Sequence, residues 1–261
     1  MIVLRVKEPI SCSLHSRRAQ VTRAISLPVF CSLMSASTGK SSPYAFYAFY
    51  QLYRELGEHA PSQDISFEEI CTKLYPDVVV DTRSSTSLFV TWEKRSKKQS
   101  RGYNLRGCIG TFAKLPVLKG IERYSLIAAL QDRRFPPIKS SELAQLRCSC
   151  NILQNFQTIY DGDTQDGDIF NWELGVHGVE LLFKNPYDGS VCSATFLPDV
   201  MLEQDWDKEE TFINLLEKAG VTSGSRDIMS NYRNYFVTVI KYESNKSFIT
   251  YEEFIDGLAR L

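Results

Sequence analysis

Apolar residues recur at helical spacing in three long stretches of this 261-residue chain. Pro43 and Gly57 bound an aromatic-rich helix, because proline suits the first helical turn and glycine the position after the last one. A second amphipathic helix follows Pro116, and a third begins after the capping residue Asp207 and ends at Gly220. Capping-box pairs predict two shorter helices, the second of them near the C-terminus: Ser66 with Glu69 and Thr250 with Glu253.

Alternating or continuous apolar runs predict strands between these helices. The runs cover residues 87–93, 147–153, 175–184, 190–197 and 235–242. A short helical turn is expected at residues 141–146, and the breaker-rich segment between residues 184 and 190 predicts a hairpin. Helices and strands interleave irregularly, without repeated strand–helix–strand units. The pattern therefore predicts an α+β fold with a mainly antiparallel sheet and flanking helices.

One predicted strand carries residues that packing alone does not require. It reads Leu105-Arg106-Gly107-Cys108-Ile109-Gly110-Thr111. In a regular strand, Arg106 and Cys108 would share one face about 6.6 Å apart. A cation beside a thiol favours the reactive thiolate. Gly107 and Gly110 weaken a strand and mark a bulge or a close approach of backbone or ligand. This stretch is the candidate functional site.

The same stretch resembles the signature of the AMMECR family, named after a chromosomal region deleted in a syndrome of Alport nephropathy and elliptocytosis. Further blocks follow in the family's order: Asp132-Arg133-Arg134-Phe135-Pro136-Pro137, Val176-His177-Gly178-Val179, Phe196-Leu197-Pro198 and Trp206-Asp207. The resemblance covers roughly residues 44–242. It implies a duplicated strand-helix-helix-strand arrangement on one antiparallel sheet, and it places Asp132, Arg133 and Arg134 near the motif strand. It identifies a family and leaves the reaction open.

The first functional hypothesis is an enzyme or covalent carrier centred on Cys108. Arg106 and Arg134 would favour its thiolate. His177 would be the general base, with Asp132 as its orienting group or as an acid, following the logic of an activated nucleophile. The substrate is unknown, and the sequence carries no dinucleotide, hydrolase-elbow or zinc-protease motif that offers another chemistry.

The second hypothesis is a non-enzymatic regulatory binding module. Gly107 and Gly110 would permit close approach of a partner, and Phe135-Pro136-Pro137, which cannot continue a helix, would form an extended elbow beside the motif strand. The partner would be a protein or a nucleic acid. A third reading is purely structural, with the cysteine as a small buried residue at a tight crossing of the chain.

Partners are indicated only indirectly. The resemblance implies association with a Memo-family protein, because bacterial relatives are encoded beside a Memo-family protein and a radical-SAM protein. A basic segment at residues 94–101 is a candidate nucleic-acid contact, but a solvated hairpin loop that protects a sheet edge is the favoured interpretation. The formal net charge of -1 gives no global attraction to nucleic acid or membrane.

No metal or cofactor is predicted. Cys148 and Cys150 share a strand face and are interpreted as a buried apolar stripe. The chain has three histidines, and they do not complete a zinc site with this pair. The acidic segment at residues 161–168 lacks the glycine and the final glutamate of a calcium loop.

Composition bounds the rest. With 43% hydrophobic residues the chain can bury one sizeable core or two small ones. Seven cysteines without a framework pattern suit free thiols in a reducing compartment, so a cytoplasmic location is expected, with the nucleus as an addition. Residues 1–42 are basic and serine-rich and are expected to be a flexible extension, with a mitochondrial transit peptide or translation from Met34 as alternatives. Residues 43–261 form the domain.

Overall fold

The computed structural model describes residues 41–57, 64–96 and 102–261. The helices are α1 (Pro43–Leu56), α2 (Phe67–Leu74), α3 (Val117–Leu130), α4 (Pro198–Glu203), α5 (Lys208–Lys218), α6 (Ser225–Ser230) and α7 (Tyr251–Leu258). The strands are β1 (Ser85–Arg95), β2 (Tyr103–Pro116), β3 (Leu146–Asp161), β4 (Asp166–Gly167), β5 (His177–Lys184), β6 (Val191–Phe196) and β7 (Phe236–Thr250). Short 3₁₀ helices cover Ser140–Gln145 and Tyr232–Asn234.

The strands form one sheet in the order β2-β1-β3-β7-β5-β6, with β4 beside β3. The pairs β1–β2, β3–β4, β5–β6 and β5–β7 are antiparallel. The prediction of an α+β fold with an antiparallel sheet and flanking helices is therefore confirmed, whereas the duplicated arrangement stays a prediction. The described residues divide into two compact units: Ile152–Asn245 is the second unit, and the other described residues form the first.

The first unit buries one face of β1 against helices. Leu88, Val90 and Trp92 alternate along β1 and are fully buried, as the period-two pattern requires. The Trp92 Nε1–H donates to the Ser125 carbonyl of α3 at 2.9 Å. The Phe49 ring of α1 packs edge-on against Trp92 with centroids 5.2 Å apart. The aromatic residues of α1 are thus core residues of this unit.

The second unit has its own apolar core. The β5–β6 hairpin pairs Val179 with Phe196 and Lys184 with Val191, so the predicted hairpin is confirmed. Helix α5 begins at a capping box on Asp207. Buried apolar side chains of both elements belong to one cluster: Val179, Leu181, Phe183, Phe212, Leu215 and Leu216.

Element boundaries differ from the sequence prediction in two ways. Strands β3 and β7 run well beyond the predicted apolar segments. The prediction ended them early because the additional residues include exposed polar ones, such as Gln154 and Asn155, which do not continue an apolar pattern. Helices α4 and α6 have six residues each, too few for an apolar period to show. No helix in the described ranges is both long and apolar enough to cross a membrane. The expectations for residues 1–40 and for residues 97–101 of the basic segment fall outside the described residues.

Candidate functional site

Strand β2 contains a β-bulge in the middle of the motif. Trp92 pairs with Gly107 and Glu93 with Leu105, so Arg106 is an extra residue opposite a single step of β1. A bulge redirects the side chain at that point. The Arg106 guanidinium donates to Glu142 at 3.0 and 3.1 Å and to the Pro136 carbonyl at 2.8 Å. The bulge interrupts the regular alternation on which the expected placement of Arg106 beside Cys108 depended, and the contacts of the Arg106 guanidinium are with Glu142 and the segment at Pro136.

Glu142 collects several donors at this corner. Besides Arg106, the Lys94 Nζ donates to it at 2.8 Å and the Lys139 backbone N–H at 3.1 Å. Burial acts to raise the pKa of this carboxyl, but the bonds from Arg106, Lys94 and Lys139 outweigh burial and lower the pKa to about 2. Glu142 is therefore an anion that clamps the motif strand to the segment after Pro137, whose carbonyl also accepts from Arg106.

The two motif glycines are required by packing of the chain on itself. A Cβ placed on Gly107 would overlap the backbone oxygen of Ala128 in α3, and one on Gly110 would overlap Phe89 and the Leu88 carbonyl. The two glycines thus allow β2 to pack closely against its own neighbours: Gly107 against helix α3 and Gly110 against strand β1. Their expected part in binding a partner is not needed to explain them.

The Cys108 side chain is enclosed, with 5% of its surface exposed. Its Sγ lies 3.1 Å from the Thr91 hydroxyl oxygen on the neighbouring strand. Burial raises the pKa of the Cys108 thiol, while the Thr91 hydrogen bond and the charge of Arg134 act in the opposite direction without overcoming it. The geometry favours the neutral thiol at physiological pH.

Asp132 and Arg134 close the outer edge of β2 at Cys108. The Cys108 N–H donates to the Asp132 carboxylate at 2.9 Å, and the Arg134 guanidinium donates to the Cys108 carbonyl at 3.0 Å. The two side chains also form an ion pair with a 2.7 Å contact. Burial acts to raise the pKa of Asp132, yet the bonds from Arg134 and Cys108 hold it below its usual range. A carboxylate and a guanidinium thus occupy the place of a neighbouring strand.

Residues 133–137, called the elbow below, are held at this edge. The Phe135 N–H donates to the Asp132 carbonyl at 3.0 Å. Arg133, Pro136 and Pro137 are exposed and Phe135 is half-buried. The guanidinium carbon of Arg134 lies 5.5 Å from the centre of the Phe135 ring. The elbow therefore presents a cationic, aromatic and proline-rich surface on a fixed backbone.

The proposed catalytic group is only partly brought together. Cys108, Asp132 and Arg134 are in direct contact, whereas Arg106 is turned toward Glu142. His177 begins β5 in the second unit, where its Nδ1 accepts from the Glu173 N–H at 3.1 Å and its own N–H donates to the Glu173 carbonyl. The contacts seen for His177 are those of a turn.

Two residues at this site were missed by sequence reasoning. Glu142 is 36 residues from Arg106, so spacing alone does not connect the two. Thr91 could have been found from the predicted strand. Leu88, Val90 and Trp92 lie on one face of β1, so alternation puts Thr91 on the other face. Because Thr91 pairs with Cys108, the two side chains lie on the same face of the sheet.

The predicted cysteine stripe on β3 is buried. Cys148 and Cys150 are fully enclosed, and burial raises the pKa of both thiols, that of Cys150 to about 12. Within the described ranges, no group of three or more histidine, cysteine, aspartate or glutamate side chains is arranged to hold a metal ion.

Fold and site together define an α+β protein built around a motif strand whose edge is closed by side chains of a D-x-R block. The AMMECR1 family model matches residues 46–246, and the chain belongs to this family. An uncharacterised protein of Saccharomyces cerevisiae is 58% identical over 221 residues, 82% of this chain and 88% of the relative. A Kluyveromyces lactis protein, also uncharacterised, is 49% identical over 222 residues, 84% and 95% of the two chains.

A solved structure shares the fold. The crystal structure of an uncharacterised protein from Pyrococcus horikoshii matches with a TM-score of 0.52 at 21% identity, covering 78% of this chain and 88% of that one. At this identity the likeness concerns the fold alone.

Proposed function

We propose that the protein is a non-enzymatic regulatory binding module whose elbow docks a partner protein. The observation that supports this most is the bracing of an exposed surface. Asp132 and Arg134 fix the start of the elbow to Cys108, and Arg106 holds the carbonyls of Pro136 and Pro137 at its end. A rigid surface loses little conformational entropy on binding, so bracing of this kind raises affinity.

The elbow also defines the chemistry of its partner. Arg133 and Lys139 are exposed cations on either side of the proline pair, and Arg134 is partly exposed beside Phe135. Arginine and aromatic side chains are enriched at protein interfaces. Acidic groups on a partner would complement the cations, and an apolar side chain would pack on the prolines. An acidic protein segment fits these features better than a nucleic acid, which needs a broader basic face.

Thiol chemistry at Cys108 is the second candidate. The observations that favour it are the Thr91 hydroxyl and the Arg134 charge, which both act to lower the pKa of the thiol. Burial opposes them and dominates, and the side chain is enclosed. A nucleophile needs both a thiolate and access for its substrate. The binding function requires neither.

The proposal can be tested by quantitative affinity capture of the full chain from the cytoplasm, the compartment that free thiols favour. A Memo-family protein of the same cell is the first candidate partner, as the family resemblance implies. We expect specific partners to be lost from an Arg133→Ser, Pro137→Ser double variant and retained by Cys108→Ala.

A matched control changes an exposed cation in the second unit, Arg226→Ser, and should leave capture unchanged. Binding of the captured partner to the purified wild-type chain should weaken at least tenfold in the elbow variant. Equal capture by the wild type and the elbow variant would contradict the proposal. Loss of capture on Cys108→Ala, with the variant folded, would favour the thiol instead.

A further inference from the structure

A polar cavity lies in the first unit between α1 and α3, and none of the elbow residues lines it. Its volume is about 440 Å³. Three lining residues come from α1, three from the segment before α2 and two from α3: Tyr47, Gln51, Arg54, Asp64, Ile65, Ser66, Glu122 and Leu126. The size is within the range of small-molecule sites.

The α1 side of the cavity is one polar helix face. Tyr47, Gln51 and Arg54 follow the i, i+4, i+7 spacing that places side chains in one row. The row extends about 10.5 Å along the helix axis. Most other residues of α1 are apolar or aromatic and pack into the core. The polar row is therefore a feature that core packing of α1 does not require.

The two ends of the row carry opposite charges. At one end the Tyr47 hydroxyl donates to one oxygen of the Glu122 carboxylate at 2.8 Å. The exposed Lys119 Nζ pairs with the other oxygen at 2.8 Å, and a ligand ammonium could take the place of this lysine at small cost. At the other end Arg54 pairs with Asp64 at 2.6 Å, with side chains that are 43% and 71% exposed. An exposed pair of this kind contributes little stability. A carboxylate of a ligand could therefore take the place of Asp64 on Arg54 at small cost.

The middle of the row contains an unsatisfied amide. The Gln51 Nε2 is enclosed and has no hydrogen-bond partner among the described residues. A buried donor without a partner costs free energy, which a ligand that pairs with it would recover. Rotation about χ3, the last side-chain torsion of glutamine, has a broad energy profile, so the Gln51 amide can turn either its oxygen or its nitrogen toward the cavity. A ligand amide would satisfy either orientation.

We propose that this cavity binds a short zwitterionic peptide of dipeptide length. Its ammonium group would bind Glu122, its peptide group would pair with Gln51, and its carboxylate would bind Arg54. The ends of an extended dipeptide are about 7 Å apart, and the long side chains of Glu122 and Arg54 can cover the remainder of the roughly 10.5 Å row, whereas a single amino acid spans only about half as much. Ile65 and Leu126 provide apolar contact for small side chains. The site is independent of the elbow and of its partner.

The test uses glycylglycine as the probe and the full chain, with binding followed by calorimetry and by the side-chain amide signal of Gln51 in NMR spectra. We expect saturable binding that perturbs this signal. Glycine and the uncharged N-acetylglycinamide should bind at least tenfold more weakly, because each lacks part of the matched set of groups.

Variants separate this site from a general peptide affinity. Gln51→Leu and Arg54→Gln should each weaken glycylglycine binding at least tenfold. Glu55→Gln, an exposed change on the same helix away from the cavity, should leave it unchanged. Thermal unfolding of each variant establishes that it is folded. The proposal is overturned if glycylglycine gives no saturable binding, if N-acetylglycinamide binds equally well, or if folded Gln51→Leu keeps the wild-type affinity.

Discussion

Strands β2 and β6 stand at the two ends of the strand order, and the chain protects them in different ways. On β2, the N–H and the carbonyl of Cys108 are both bonded by side chains, Asp132 and Arg134. On β6, the Thr195 carbonyl accepts from the Lys218 Nζ at 2.7 Å, and the ammonium lies 4.5 Å from the centre of the Phe196 ring. Charged side chains are a common means of keeping a sheet edge from pairing with another chain.

The difference lies in how the charges are coupled. The β2 cap is an ion pair whose carboxylate, on Asp132, is 4% exposed, and its two members bond the strand and each other. The β6 cap is one lysine on an exposed helical position. A coupled cap fixes the direction of the chain that follows it, whereas a single lysine only covers a carbonyl. The elbow begins within the coupled cap, because Arg134 belongs to both, and this is why its surface can be presented in one conformation.

The largest expected loss of stability comes from disturbing the close packing of β2 against α3 at Gly107. Gly107→Ala should destabilise the first unit by about 3 kcal/mol, since the added methyl group meets backbone and cannot be relieved by a rotamer change. Urea unfolding of the full chain measures this. Ile109→Val on the same strand should cost about 1 kcal/mol as the matched control. Equal losses of stability for Gly107→Ala and Ile109→Val would show that β2 and α3 can move apart to accommodate a methyl group.

The second effect concerns the clamp at the far end of the elbow and depends on pH. The pKa of Glu142 is lowered from 4.5 to about 2, so its carboxylate stabilises the fold at pH values above about 4.5, and this contribution is lost as the pH falls toward 2. Its size is up to about 3 kcal/mol. Glu142→Gln should be less stable than the wild type at pH 7, and the two should converge in acid. A constant difference from pH 7 to pH 3 would contradict the clamp.

A smaller effect is expected from opening the β2 cap. Asp132→Ala removes the acceptor of the Cys108 N–H and the partner of Arg134, at a cost of about 2 kcal/mol because water can still reach part of the guanidinium. Hydrogen exchange at the Cys108 amide should become faster in proportion. In Asp132→Asn, which keeps an acceptor for this amide, the exchange rate should lie between those of the wild type and Asp132→Ala. Unchanged exchange in Asp132→Ala would break the comparison of the two edges.

The smallest effect belongs to β6. Lys218→Met removes one hydrogen bond from an exposed helical position and keeps the aliphatic stem, so the expected destabilisation is about 0.5 kcal/mol. The measurement is the same urea unfolding of the full chain. If Lys218→Met cost as much as Asp132→Ala, the two edges would be closed equally well and the distinction would fail.

Much of the fold could be predicted because local chemistry marks it. Pro43 and Gly57 bound α1, and Asp207 and Thr250 begin helices through their own side chains. These signals lie within a few residues of the backbone groups that they satisfy. The ends of β3 were not predictable in the same way, since its pairing with a distant strand allows exposed polar residues to continue a strand that local pattern would end.

At the candidate site, too, the features marked by local sequence were predicted and those set by distant contacts were missed. The motif identified Cys108 and the D-x-R block, and the resemblance placed Asp132 and Arg134 near the strand. The direction of Arg106 was missed, because a bulge is a property of two paired strands and only its glycine, Gly107, is visible in one of them. Glu142 was missed because nothing in its own segment indicates its partner.

The most direct test of the closed edge is the rate of alkylation of Cys108 by iodoacetamide as a function of pH, read by mass spectrometry of the native full chain. Burial of the side chain predicts a rate below that of a small-molecule thiol at neutral pH and a midpoint above that of a free thiol, although the charge of Arg134 acts in the opposite direction. Denatured protein should react at the ordinary thiol rate. A native midpoint below neutrality, with a rate above that of the free thiol, would contradict the account and make Cys108 a nucleophile.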